Sequence, residues 1–253
     1  MKTKNYRDKI IWIIGASSGI GESLAKELSS RGAVLAISAR RKDLLEALKD
    51  SLKGNRHKIF ALDVTNLKSV INAAQEIRTE FSRIDIVIFL AAAYTPMQLD
   101  SLDIENTKQI IEVNLLGAFH VVHSVLPIFQ EQSYGQIALC GSVAGYIGLP
   151  KGQPYSATKA GIINLAESLH AELPKTIDVK LISPGFVRTK LTDKNDFDMP
   201  MIIDPVDAAI SIADGLLQKN FEVHFPKRFT YLLKLLQLLP YILLLKITKK
   251  FNK

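Results

Sequence analysis

Cysteine is almost missing from this chain, with Cys140 standing alone among 253 residues. No intrachain disulfide can form, and a reducing, cytoplasmic home is expected. No linker rich in proline, glycine or serine divides the sequence. One large α/β domain with a fully buried sheet is therefore expected over residues 1–226, with 227–253 as an extension, and the length and 47% hydrophobic content suffice for it. The first apolar run, Ile10-Ile11-Trp12-Ile13-Ile14, is too short for a signal-peptide core and meets a glycine turn at once, so it reads as a strand. Metal-ligand sets are lacking: His120 and His123 stand three apart on an expected helix with no cysteine or carboxylate nearby, and no metal site is expected. Excess charge is lacking as well, until residue 219. Up to that point the chain is formally neutral, which argues against a nucleic-acid groove spread over the fold.

What is present begins with Tyr155-Ser-Ala-Thr-Lys159. Positions i and i+4 share a helix face, so a phenol and an ammonium act on one small volume. A free tyrosine titrates near pH ~10, and a nearby cation favours its phenolate. At ~4 Å and an effective dielectric of about 20 that attraction is on the order of 4 kcal/mol before desolvation. Alone, such a pair also fits a solvated helix face. Its weight comes from Ser142 upstream and from Gly15-Ala-Ser17-Ser18-Gly19-Ile20-Gly21, which sits between an apolar strand and a helical pattern ending at Arg31-Gly32. Strand, glycine turn and helix N-terminus together make a seat for a pyrophosphate.

Apolar runs at 34–38, 58–62, 84–90, 135–140 and 179–182 alternate with helical patterns, as a doubly wound parallel sheet of Rossmann type requires. Asp204-Pro205 opens a further helix expected to reach about Lys219. The aperiodic segment 189–204, carrying Phe197, Met199 and Met201, reads either as a lid over substrate or as a plain surface loop. After the second strand, Ser38-Ala39-Arg40-Arg41 contains no acid to bond a ribose. Two guanidiniums beside a hydroxyl suit a phosphate, so NADP(H) is expected over NAD(H).

These motifs, in this order, resemble the short-chain dehydrogenase/reductase family over about residues 8–226. The family's G-x3-G-x-G matches Gly15, Gly19 and Gly21, and its Asn-Ser-Tyr-Lys tetrad falls on Asn114, Ser142, Tyr155 and Lys159. Its adenine-side Asp-Val matches Asp63-Val64, and its Pro-Gly-x3-Thr matches Pro184-Gly185 through Val187 to Thr189. The resemblance implies hydride transfer between nicotinamide and a carbonyl or secondary alcohol. In it Tyr155 is the acid/base, Ser142 holds the carbonyl oxygen, and Lys159 lowers the Tyr155 pKa and binds ribose. Asn114 holds a water linking Lys159 to solvent, and Thr189 bonds the carboxamide. Cofactor contacts are implied at Gly15, Ser17, Ser18, Gly19, Ile20, Gly21, Arg40, Arg41, Asp63, Val64, Ala91, Tyr155, Lys159, Pro184, Gly185, Val187 and Thr189. It also implies a homodimer or homotetramer. Two positions depart from the pattern: Ile14 replaces a threonine, and Phe89-Leu90-Ala91-Ala92 replaces Asn-Asn-Ala-Gly. The second change keeps a non-catalytic NADPH-sensing protein open as an alternative, and 3-oxoacyl-carrier-protein reduction is the alternative among enzymes.

From residue 219 onward, eight basic residues (Lys219, Lys227, Arg228, Lys234, Lys246, Lys249, Lys250, Lys253) face Glu222 alone, so the tail carries the whole chain's +7. Between them lies a leucine-rich helical segment with Thr230, Lys234, Gln237 and Tyr241 on one stripe. Its uncharged core, 235–245, is shorter than the ~20 residues of a spanning helix, and Pro240 interrupts it. Three readings stand: attachment to a membrane surface, packing on the enzyme's own substrate mouth, or a subunit interface. The first two point to a lipid-like, apolar carbonyl or alcohol as substrate.

Overall fold

The computed structural model describes residues 6–148 and 150–249. Seven strands form one wholly parallel sheet: β1 (Ile10–Ile14), β2 (Val34–Ser38), β3 (Lys58–Ile59), β4 (Ile86–Phe89), β5 (Gly135–Cys140), β6 (Ile177–Pro184) and β7 (Glu222–Phe225), in the order 3-2-1-4-5-6-7. This is the Rossmann-type α/β architecture expected. Strand β1 is buried on both faces, which is why its sequence does not alternate. Trp12 and Ile14 point into one core with helices α3 (Leu67–Phe81), α5 (Gly117–Gln132) and α6 (Tyr155–Glu172). Ile11 and Ile13 point into the other, with α1 (Gly19–Ser30), α2 (Lys42–Ser51) and α7 (Pro205–Gly215). Each such aliphatic contributes about 1.5–3 kcal/mol relative to an exposed one.

The strand order reverses at β1, between β2 and β4, and that switch point opens the crevice in which ligands bind to this class of sheet. Gly15 and Ala91 meet there. A Cβ on Gly15 would lie 2.6 Å from the Ala91 nitrogen, and one on Gly21 would lie 2.1 Å from the Gly15 carbonyl oxygen. Gly15 also has φ +94°, a region side chains disfavour.

Several expected boundaries differ. Strand β3 holds two paired residues, although the Phe60 and Leu62 amides still donate to Ile37 and Ala39 beyond it. Helix α7 ends at Gly215, short of Lys219. Strand β7 has no apolar run to announce it, because Glu222 and His224 alternate with Val223 and Phe225. The helix α4 (Ile104–Ile111) passes into α5 through a π turn at Glu112–Leu116 that carries Asn114. The joined run 104–132 is apolar and long enough to cross a membrane by length and composition, and half of its most apolar window is buried in the fold.

The tail forms two helices, α8 (Lys227–Gln237) and α9 (Tyr241–Lys249), separated at Pro240. Lys250 and Lys253 lie outside the described residues. The polar stripe faces inward. Thr230 meets His224 Nδ1 at 2.6 Å, Lys234 pairs with Glu222, and Gln237 Nε2 donates to the Tyr146 carbonyl at 2.8 Å. Tyr241, the fourth member of the stripe, is 78% exposed. Phe229, Leu233 and Leu244 pack on Val143 and Ile147. Leu232, Leu235, Leu238, Ile242 and Leu245 face outward, Leu238 at 80% exposure.

Candidate active site

The candidate residues converge at the C-terminal ends of β1, β4, β5 and β6. Ser142 follows β5, is 8% exposed, and accepts the Ala144 amide at 3.1 Å, opening the 3-10 turn Val143–Gly145. Tyr155 and Lys159 stand one turn apart on α6. Lys159 is 1% exposed, its Nζ donates to the Cys140 carbonyl at 2.7 Å and lies 5.4 Å from the centre of the Tyr155 ring. Burial pulls the Lys159 ammonium below its usual range.

One expectation changes here. The sequence suggested that Lys159 would depress the Tyr155 pKa, but the phenol is raised above its ordinary value. Burial is the larger effect and Cys140 adds to it, while a hydrogen-bonding interaction with Ser142 pulls the other way. The Lys159 head group is aimed at the backbone of β5 instead.

Asn114 is fully buried, and its side chain is committed to the protein. Its Oδ1 accepts the Ala93 amide at 2.7 Å, and its Nδ2 donates to the Ala93 carbonyl at 3.0 Å and the Thr158 hydroxyl at 3.1 Å. Both amide donors are thus used, so the side chain fastens the loop after β4 to α6 and has no free N–H for a water relay. It supplies polar fixing that Phe89-Leu90-Ala91-Ala92 lacks. π turns of this kind recur at functional sites.

On the nucleotide side, Ser18 is the N-cap of α1 but makes no side-chain cap bond. Arg41 Nη2 donates to Ser17 Oγ at 3.1 Å and Ser18 Oγ at 3.4 Å. Arg40 and Arg41 are both exposed, and among the described residues neither is in an ion pair with a carboxylate. The hydroxyl beside the arginines is not that of Ser38, which is fully buried and accepts from Trp12 Nε1 at 2.8 Å. Ile20 packs inward, anchoring the glycine turn. Asp63 Oδ1 accepts from Thr65 N at 3.0 Å and Thr65 Oγ1 at 2.9 Å, and so shapes the turn that carries Val64.

Across the crevice, the Gly185 amide donates to Phe225 at 2.7 Å, which holds the Pro184-Gly185 corner. Val187 bridges to Ile203, closing the ends of the 189–203 segment onto each other. A Cβ on Gly19 would lie 3.1 Å from the Thr189 side chain, so the two ends of the expected cofactor path face each other.

Tyr94 escaped sequence reasoning. Its ring packs edge-on to Tyr155 with centroids 5.1 Å apart. Its hydroxyl donates to Asn195 Oδ1 at 2.7 Å, and Lys194 Nζ donates to its carbonyl at 2.7 Å. The 189–204 segment is therefore docked over the candidate site through Tyr94. The available signal was position alone, since loops following β4 border the switch-point crevice. Phe197, Phe186 and Phe229 continue the cover as an aromatic run, with centroids 5.8 and 5.6 Å apart.

Fold and site together define an oxidoreductase with a dinucleotide-binding sheet. The chain belongs to the short-chain dehydrogenase family: the family model described as short chain dehydrogenase matches residues 9–199. It is 32% identical to an uncharacterized oxidoreductase of Myxococcus xanthus over 95% of each chain. In structure it is similar to a short chain dehydrogenase of Burkholderia cenocepacia in complex with NADP (TM-score 0.81, 24% identity, 92% of this chain and 94% of that one). It is likewise similar to a short chain dehydrogenase/reductase of Burkholderia phymatum in complex with NAD (TM-score 0.80, 20% identity, 91% and 93%). A nicotinamide cofactor is common to such proteins, and the glycine turn fits one: Gly15 and Gly21 let the turn close against Ala91 and onto itself, at the N-terminus of α1 where a pyrophosphate would meet backbone N–H groups.

Proposed function

We propose that this chain interconverts a carbonyl and a secondary alcohol with NADP(H), acting on an apolar, lipid-like substrate. The observation that carries this reading is the convergence of Ser142, Tyr155 and Lys159 beneath Tyr94, beside the glycine turn. Bound nicotinamide would supply or accept the hydride. Burial keeps the Tyr155 phenol protonated, the form that donates a proton to an alkoxide during reduction. Lys159, 5.4 Å from the ring centre, then offsets the charge left on the phenolate by about 3 kcal/mol at an effective dielectric of ~20. Ser142 holds the substrate oxygen against Tyr155. Asn114 acts through the loop and helix it joins, as a positioning residue.

The expected cofactor contacts run from Gly15, Ser17, Ser18, Gly19, Ile20 and Gly21 through Asp63, Val64 and Ala91 to Pro184, Gly185, Val187 and Thr189. Arg40 and Arg41 supply cations for the 2′-phosphate that distinguishes NADP(H). The aromatic run Phe197-Phe186-Phe229 supports the apolar substrate. The outward leucines of α8 and α9, with Lys227, Arg228, Lys246 and Lys249 exposed around them, support peripheral contact with an anionic membrane from the cytoplasmic side. Neither helix reaches the ~20 residues of a span. Assembly into a homodimer or homotetramer rests on the family likeness, and exposed Ile111, Leu116 and Phe119 along α4 and α5 suit it.

The test is oxidation of NADPH, against NADH, with long-chain, steroid-like and short-chain carbonyl compounds, using Tyr155→Phe as the control. Turnover of apolar carbonyls should fall at least ~1,000-fold in the variant while NADPH binding persists. NADPH binding without turnover in either direction would overturn the enzyme reading. A strict preference for small polar sugars would overturn the apolar substrate.

A further inference from the structure

The turn that presents Ser142 is held from two sides. On the inner side the Ala144 carbonyl accepts Ser156 Oγ at 2.5 Å, and Gly145 lies so close to α6 that a Cβ there would be 2.6 Å from the Lys159 carbonyl carbon. On the outer side the tail grips Tyr146, four residues beyond Ser142, at three points. Its phenol donates to Glu222 of β7, Lys234 of α8 pairs with the same carboxylate and lies 5.8 Å from the centre of the Tyr146 ring, and Gln237 donates to the Tyr146 carbonyl. Val143 and Ile147, at the two ends of the turn, complete the contact in the apolar cluster with Phe229, Leu233 and Leu244.

The pair is enclosed: Glu222 and Lys234 side chains are 16% and 32% exposed. Burial would raise the Glu222 carboxyl, yet Lys234, Ser183 and Tyr146 together hold it below its ordinary range, so it stays an anion. An ion pair at this depth contributes little net stability, because desolvation cancels most of the attraction. What it supplies is direction, since a fixed anion sets where the Tyr146 hydroxyl must be.

We infer that the tail is part of the active site's framework: Glu222, Lys234 and Gln237 are positioning residues that act through Tyr146 to fix Ser142 against Tyr155. This rests on the proposed reaction for its kinetic consequence, though not for its structural one. Removing Lys234 takes the cation from Glu222 and from the face of the Tyr146 ring, so the outer hold loosens to the Glu222 and Gln237 hydrogen bonds and the apolar contacts, while the α6 side stays intact. Ser142 then no longer meets the substrate oxygen at a fixed height, while the glycine turn and Arg41 at the other end of the crevice are untouched.

The experiment compares full-length wild type, Lys234→Met, Lys234→Met/Gln237→Leu and Lys234→Arg. Amide hydrogen exchange of the 142–147 peptide, NADPH affinity by fluorescence titration, and kcat and KM for the best carbonyl are measured on each. Expected for Lys234→Met are a roughly tenfold or greater loss of protection at 142–147, unchanged protection in β1 and β4, NADPH affinity within about twofold, and kcat lowered about 10- to 100-fold. The double variant should lose more, and Lys234→Arg should recover most of both effects. Unchanged protection at 142–147, or protection lost evenly over the whole chain, would overturn the inference. Wild type without carbonyl turnover would sink the reaction and leave the exchange result to decide the positioning role. Wild-type turnover with kcat unaltered in every variant would refute the kinetic coupling.

Discussion

Arg41→Ala should weaken NADPH selectively. The Arg41 guanidinium is exposed and bonded to the Ser17 and Ser18 hydroxyls at 3.1 and 3.4 Å, so it is already aimed at the glycine turn. A hydrogen bond to a charged group contributes about 1.5–3 kcal/mol net, and solvent exposure places this one toward the lower end. With ~1.4 kcal/mol per tenfold, the loss is about 10- to 30-fold in NADPH dissociation constant. NADH lacks the phosphate, so its affinity should move less than about threefold. Arg41→Asp should go further and reverse the preference, because a carboxylate repels the phosphate and can bond ribose hydroxyls. The assay is fluorescence titration of both cofactors at one fixed, low ionic strength. Equal losses for NADPH and NADH in Arg41→Ala would refute the reasoning: the arginine would then be bracing Ser17 and Ser18, not reading a phosphate.

Two further predictions concern the tail. His224 is 7% exposed, and burial, then Lys234 and Lys227, push its imidazole down to about 4 from a free value of 6.5. Between those values the unfolded chain binds the proton and the folded one does not. The stability this histidine supplies is therefore complete above pH 6.5 and lost as pH falls through about 4, by up to about 3 kcal/mol. Thermal unfolding from pH 7 to 4 should show that slope in wild type and a shallower one in His224→Gln; parallel slopes would contradict it. Sedimentation with anionic liposomes should pellet wild type and release the Leu235→Ser/Leu238→Ser/Ile242→Ser variant, whose changed side chains are all exposed. Equal pelleting would remove the membrane proposal.

The nucleotide half of the molecule was legible because its signals are local. A five-residue apolar run, a glycine turn and a helical period lie within one βα unit, and Gly15 and Gly21 answer to backbone contacts inside that unit or at its neighbour Ala91. Tyr155 and Lys159 were legible for the same reason, being one turn apart. What could not be read depends on contacts distant in sequence. Asn114 meets Ala93 and Thr158 across 21 and 44 residues, and Tyr94 meets Asn195 across 101. The direction of the Tyr155 shift is not legible because burial, the larger cause, has no sequence signature, whereas the i, i+4 lysine does.

The tail shows how far periodicity goes. A helix with one polar stripe among leucines is expected to turn the leucines inward, and α8 does so fully for Leu233 and partly for Leu236, while Leu232 and Leu235 stay exposed. Strand β7, invisible as an apolar run, places Glu222 and His224 opposite the stripe, and Thr230 and Lys234 meet them. A buried carboxylate without a partner costs several kcal/mol, so the stripe goes in. The consequence is six outward aliphatics, Leu232, Leu235, Leu238, Ile242, Leu243 and Leu245, each forgoing part of the ~1.5–3 kcal/mol that burial would supply. Three polar contacts at about 1 kcal/mol net each do not match that sum. This exposed face is the ground of the membrane proposal, in which the exposed Lys227, Arg228, Lys246 and Lys249 around it would suit an anionic surface. The helix whose outer side would meet that surface holds Tyr146 with its inner side, so on that proposal the tail would join a docking face to the Ser142 turn within the width of one helix.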